Sequence, residues 1–157
     1  MRVWRTWQFR VSRLAGRFLA RSAAVLTLGR MPPFVSASAV VLRRDDVLVV
    51  IDPIRNEPVL PGGHLKWAER PERAVVREVK EETGYEIEPE RLIGVFAGPE
   101  WAGEDGIVRV IFAASITSGI LRSSAEGRAT WMPVRDLVAS GARDAPIVQS
   151  AIVNRPG

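Results

Sequence analysis

A chain of 157 residues, 46% hydrophobic and 25% charged, is long enough to bury one ordinary core and is too apolar for a disordered or fibrous protein. It has no cysteine, which excludes a disulfide framework, a thiol nucleophile and cysteine-ligated zinc or iron–sulfur sites, and which fits a reducing, cytoplasmic setting. The net charge of +4 is uneven: residues 1–30 hold seven arginines and no acid, while the remaining 127 residues hold 15 bases and 18 acids. Electrostatic attraction to nucleic acid or an anionic membrane is therefore an argument about the first thirty residues alone.

Within that first segment, Trp4, Trp7, Val11, Leu14, Phe18, Val25 and Leu28 recur at spacings of three and four, broken at Arg21, as one face of a basic amphipathic helix does. Arg10, Arg13, Arg17 and Arg21 leave no uncharged run near the roughly 18 residues a membrane span requires. Three readings stay open for residues 1–30. The helix packs on the domain or on a second copy in a homodimer; it lies on an anionic membrane or an RNA; or Met31 is the true start and the extension is transit-like. Contact with a membrane surface or RNA would be screened by salt and lost on removal of residues 1–30, with small-nucleotide turnover retained.

A domain is expected over residues 31–157. Phe34–Leu42 and Val47–Ile51 are β-rich runs around the polar turn Arg43-Arg44-Asp45-Asp46, which predicts a hairpin. A loop broken by Pro53 and Pro58 leads to Val59-Leu60. Pro71, tolerated in a first helical turn, and Gly84, at a helix stop, predict a helix over Pro71–Thr83 with Ala74, Val75 and Val79 facing the core. Strands are predicted at Leu92–Ala97, Ile107–Ile116 and Ala129–Met132, with a loop at Gly98–Gly106 and a helix from about Val134. Helices mixed with hairpins in this way predict an α/β sandwich around a mixed sheet.

The predicted helix gathers Glu78, Glu81 and Glu82 on one face at spacings of three and four, with Cβ atoms about 5–6 Å apart. A solvated acidic surface is the ordinary explanation of such a cluster. A double glycine ahead of the helix, Glu69, Arg77 beside the cluster and the glycine stop favour another. Clustered carboxylate oxygens suit a hard cation such as Mg²⁺, which keeps waters and recruits substrate phosphates. Such a site implies a phosphate-containing substrate and a metal-activated water.

Gly63, Glu69, Arg77-Glu78-Val79, Glu81-Glu82 and Gly84-Tyr85 stand at the spacings of a 23-residue box, and in these positions the chain resembles the Nudix hydrolases. Tyr85, where an aliphatic residue is more usual, is the only departure. The strands before the box and the segment Glu126–Leu137 extend the resemblance, which implies a Nudix-type α/β/α sandwich around a mixed sheet and hydrolysis of a nucleoside diphosphate linked to another moiety. It also implies Mg²⁺ or Mn²⁺ held by Glu78, Glu81, Glu82 and the Gly62 carbonyl, with Glu69 and Arg77 as the supporting pair. The general base varies among such proteins. Glu78 is the first candidate and Glu126 the second, followed by Glu100, Glu104 and Asp105, for which a solvated loop is the plainer explanation. Trp101 is the first candidate for stacking on a base and Trp67 the second, while Phe96 reads as core. The lone histidine, His64, reads as a hydrogen-bonding residue that shapes the turn. Pro99 falls within a residue or two of a proline of ADP-ribose hydrolases in the family. A non-hydrolysing nucleotide sensor is the alternative, although such domains usually lose box glutamates.

Overall fold

The structure is a computed structural model that describes residues 34–102 and 107–153. The basic segment 1–30, Glu104 and Asp105 lie outside the described residues. Seven strands are described: β1 (Phe34–Arg43), β2 (Asp46–Ile51), β3 (Pro58–Val59), β4 (Gly62–His64), β5 (Tyr85–Phe96), β6 (Ile107–Gly119) and β7 (Arg128–Pro133). Four helices accompany them: α1 (Pro71–Thr83), α2 (Pro99–Ala102), α3 (Val134–Ala139) and α4 (Ala145–Val153).

The sheet runs β3-β2-β1-β6-β5, with β4 added to β1 and β7 to β2. It is mixed because β1 pairs parallel with β6, from Phe34 opposite Ile107 to Val41 opposite Ala114, while the other pairings are antiparallel. The β1–β2 hairpin turns at Arg44, whose φ of 55° lies in the left-handed region. β1 alternates its side chains between two layers. Ala37, Ala39 and Val41 meet Ala74, Val75 and Val79 of α1, whereas Val40 joins Leu137 of α3 and Ile147 and Val148 of α4. The sheet is thus covered on both faces, as an α/β/α sandwich requires. Among the described residues, no helix is long and apolar enough to cross a membrane.

The box helix spans Pro71–Thr83, with proline in its first turn and Gly84 closing it at φ 78°, where the Gly84 N–H donates to the Lys80 carbonyl. Besides the short strand β4 and the short helix α2, which stand where turn and loop are expected, two elements differ from the sequence expectation. β5 begins at Tyr85, directly after the helix, and not at Leu92. Its first half alternates Glu86, Glu88 and Glu90 outward, with register shifts beside Ile87 and Pro89, because an edge strand has a solvent side that tolerates acids and proline. The second is α4, buried through Ala145, Ile147, Val148 and Ala151.

Candidate active site

The site grows from the short strand β4, which lays Gly62 opposite Ser38 and Gly63 opposite Ala37 of β1. Gly62 has a φ of 153°, and a Cβ there would stand 2.3 Å from the Ala37 carbonyl oxygen and 2.6 Å from the Ser38 Cα. Only glycine can run this close to neighbouring main chain. At Gly63 a Cβ would stand 2.4 Å from the carboxyl carbon of Glu78, so the strand and that carboxylate are in direct approach. One helical turn further on, Glu82 Oε2 accepts the Gly62 N–H at 2.8 Å. Two carboxylates four residues apart on the box helix therefore land on two successive residues of β4.

Arg77 holds the cluster in shape. Its Nε and Nη2 donate to the two oxygens of Glu69 at 2.9 and 2.7 Å, and its Nη1 donates to Glu78 Oε1 at 2.6 Å. Nη2 also reaches the His64 carbonyl oxygen at 3.2 Å, and Glu81 Oε2 lies 3.7 Å from Nη1. The fork geometry of a guanidinium, which a lysine ammonium lacks, lets one cation span these acids. The Arg77 guanidinium, with help from the Lys66 N–H, holds the Glu69 carboxyl down to about 2 from the usual 4.5. Reciprocally, the bond to Glu69 pushes the Arg77 pKa up, with Glu78 adding to it.

The residues singled out in the sequence fall into three places. Gly62, Glu69, Arg77, Glu78 and Glu82 are brought together, the Glu69 and Glu78 side chains being largely shielded; Glu81 stands at the rim with its side chain 59% exposed. Glu126 is exposed on the loop leading to β7, a loop fastened to the box helix by the Arg122 N–H on the Thr83 carbonyl at 2.7 Å. The aromatic candidates differ. Trp67 is 99% exposed between β4 and α1, whereas Trp101 is half-buried, its ring 5.0 Å from that of Phe96. His64 is exposed, edge-on to Phe34, and lends Arg77 its carbonyl rather than its ring. Tyr85, the unusual box residue, packs against Trp131 and accepts the indole N–H at 3.4 Å, a bond an aliphatic side chain could not offer. Missed from the sequence were Arg109 and Asp144, a buried ion pair on β6 and just ahead of α4, whose only local signal is an aspartate at a helix start.

A family model for the NUDIX domain matches residues 32–151. The chain belongs to the Nudix hydrolase family. A MutT-like protein of Streptomyces ambofaciens is 39% identical over 105 residues, which are 64% of this chain and 66% of that one. An ADP-ribose pyrophosphatase of Methanocaldococcus jannaschii is 27% identical over 99 residues, 61% of this chain and 59% of the relative. The similarity thus spans less than two thirds of the length of either curated relative. Among solved structures, a NUDIX hydrolase from Nitrosomonas europaea superposes with a TM-score of 0.65 at 29% identity, covering 78% of this chain and 87% of that one.

The Nudix box has the chemistry for a hard divalent cation: its donors are carboxylate and main-chain oxygens, and the bare face of Gly63 leaves Glu78 against the main chain where a Cβ would intrude. Among the described residues, no three acidic or histidine side chains converge as a ready-made cage. Arg77 and the Gly62 N–H instead hold Glu78 and Glu82 separately, and Glu81 stands at the solvent edge. This suits Mg²⁺ or Mn²⁺, which are held by few protein oxygens together with waters and phosphate.

Proposed function

We propose that the protein is a metal-dependent pyrophosphohydrolase that cleaves a nucleoside diphosphate linked to another moiety, such as a nucleotide or a nucleotide sugar like ADP-ribose. The observation that carries the reading is the assembled box, with Arg77 spanning Glu69 and Glu78 while Glu82 holds the Gly62 N–H. Glu78, Glu81, Glu82 and the Gly62 carbonyl would hold Mg²⁺ or Mn²⁺, which when bound supplies charge neutralisation at phosphoryl oxygens and lowers the pKa of a water. A water oxygen bonds to one phosphorus, the bridging P–O bond breaks, and the two phosphate-bearing halves separate. Glu78 takes the water's proton, and Glu126 is the second candidate, carried near the end of the box helix by its loop. Glu69 and Arg77 touch no reacting atom in this scheme; they fix the rotamer of Glu78 and offset its charge. Trp101 and Trp67 supply the aromatic faces for a base. The Methanocaldococcus relative's name as an ADP-ribose pyrophosphatase supports the nucleotide-sugar class.

The test is product release from ADP-ribose, NADH, dinucleoside polyphosphates, oxidised and normal nucleoside triphosphates and capped RNA with Mg²⁺ or Mn²⁺, comparing wild type with Glu82→Gln. Turnover of one compound, abolished by a chelator and reduced at least about a hundredfold in the variant, is expected for a residue that holds the reaction's geometry. Nucleotide binding without turnover would instead indicate a sensor.

A further inference from the structure

Asp144 is the most deeply placed acid among the described residues, with its side chain 3% exposed, and no step of the proposed reaction uses it. Its Oδ2 accepts the Leu60 N–H at 2.8 Å, 84 residues away in the chain. Arg109 donates to both of its oxygens, at 2.6 and 3.2 Å, and the same guanidinium donates to the Trp101 carbonyl at 3.2 Å. One end of this network reaches the candidate site, and the other reaches Trp101, which packs in the layer of α3 and α4 and is the first candidate for stacking on a base. Leu60 precedes Pro61, whose carbonyl accepts the Ala39 N–H, and then Gly62, whose N–H holds Glu82. At the other end Arg109 lies opposite Phe96 in the β5–β6 pairing, and the Phe96 ring carries Trp101.

We propose that the Arg109–Asp144 pair is a positioning device that fixes the Gly62–Gly63 strand and the Trp101 segment relative to each other, so that the phosphate end and the base end of a substrate are held at one separation. The inference rests on the pyrophosphohydrolase reading. Stability is a weak reason for the pair, since a buried ion pair is commonly matched or bettered by apolar residues of similar volume. What an apolar pair could not do is accept the Leu60 N–H and grip the Trp101 carbonyl together. With the Leu60 N–H and the Trp101 carbonyl both held on one carboxylate–guanidinium fork, neither loop is free to shift alone.

The experiment uses the full chain with three changes: Asp144→Asn, Arg109→Lys, and the double variant Arg109→Met with Asp144→Leu. Two readouts are taken, the amide resonances of Gly62 and Gly63 with the Trp101 indole resonance in the free protein, and kcat and KM well below each variant's Tm on whichever compound the wild type hydrolyses. Asp144→Asn is expected to shift all three resonances and to lower kcat/KM about 10- to 100-fold, with kcat falling and KM rising, because displacement near 1 Å costs about that much. Arg109→Lys is expected to move the Trp101 indole resonance and raise KM, and it stands in if the first variant fails to fold. The double variant is expected to regain most of the Tm but not the turnover. Recovery of turnover along with Tm, or unmoved resonances in Asp144→Asn, would reduce the pair to a fold-stabilising contact and overturn the proposal. A wild type that hydrolyses nothing defeats the catalytic reading, while the resonance shifts still decide whether the clamp exists.

Discussion

Replacing Gly62 by alanine isolates the requirement for bare backbone at the site. At φ 153° a non-glycine residue carries strain of about 1–3 kcal/mol. The added Cβ also meets the Ala37 carbonyl oxygen at 2.3 Å, where ordinary contact is about 3.5 Å, so main chain on both sides must move by about 1 Å. Overpacking of this kind costs about 1–3 kcal/mol more, for a total of about 2–6 kcal/mol against a domain stability of about 5–15 kcal/mol. At about 4 °C per kcal/mol the Tm should fall by about 8–24 °C. The same shift withdraws the N–H that holds Glu82, so turnover at 20 °C, well below the Tm, should fall about a hundredfold. Gly141→Ala is the control, because Gly141 has φ 66° but nothing within 4 Å of the added Cβ. It should cost about 1–2 kcal/mol and no activity. Thermal denaturation followed by circular dichroism, with turnover measured beside it, compares the two; equal Tm losses, or a Gly62→Ala protein with wild-type turnover, would refute the close-approach argument.

Arg77→Lys keeps the charge but cannot span Glu69 and Glu78 with one planar fork, so turnover should fall about 10- to 100-fold and the Mg²⁺ concentration for half-maximal rate should rise in a metal titration. The Glu69 carboxyl, held at about 2 when folded against 4.5, stabilises fully above pH 4.5 and loses that contribution as pH falls toward 2. The Tm difference between wild type and Glu69→Gln should therefore be widest near neutrality and narrow between pH 4.5 and 2 in a melting series. Chelation with excess EDTA should abolish turnover and Mn²⁺ or Mg²⁺ should restore it, while the melting curve changes little because Arg77 and the Gly62 N–H hold the box glutamates without the ion.

The box helix was readable to its ends because its stop signals are local: proline in the first turn, glycine after Thr83, and alanine and valines at core spacing. The hairpin was readable for a similar reason, with β-branched runs on each side of a polar turn. The first half of β5 was not, since Glu86, Glu88 and Glu90 around Pro89 look like loop until the strand is known to be an edge. Among site residues, the resemblance to the Nudix box pointed to Glu69, Arg77, Glu78 and Glu82, which lie on one helix or just ahead of it. It could not show that Glu82 reaches the Gly62 N–H while Glu81 stays at the rim, which depends on how β4 lies on β1. Arg109 and Asp144 were beyond reach because their meaning is in a contact 35 residues long in the chain and another of 84.

The parallel pairing of β1 with β6 sets an order of events in the life of the chain. The strand that carries Gly62 and Gly63 is laid on β1, but β1 gains its parallel neighbour only when residues 107–114 exist, well after its own start at Phe34. Long-range pairing of this kind is slow, because loop closure comes before any contact rewards it. Emerging from the ribosome, the box helix therefore precedes the strand and the aspartate that fix its platform. A nascent or truncated chain ending before Asp144 would display the whole signature and still lack the anchor on Leu60.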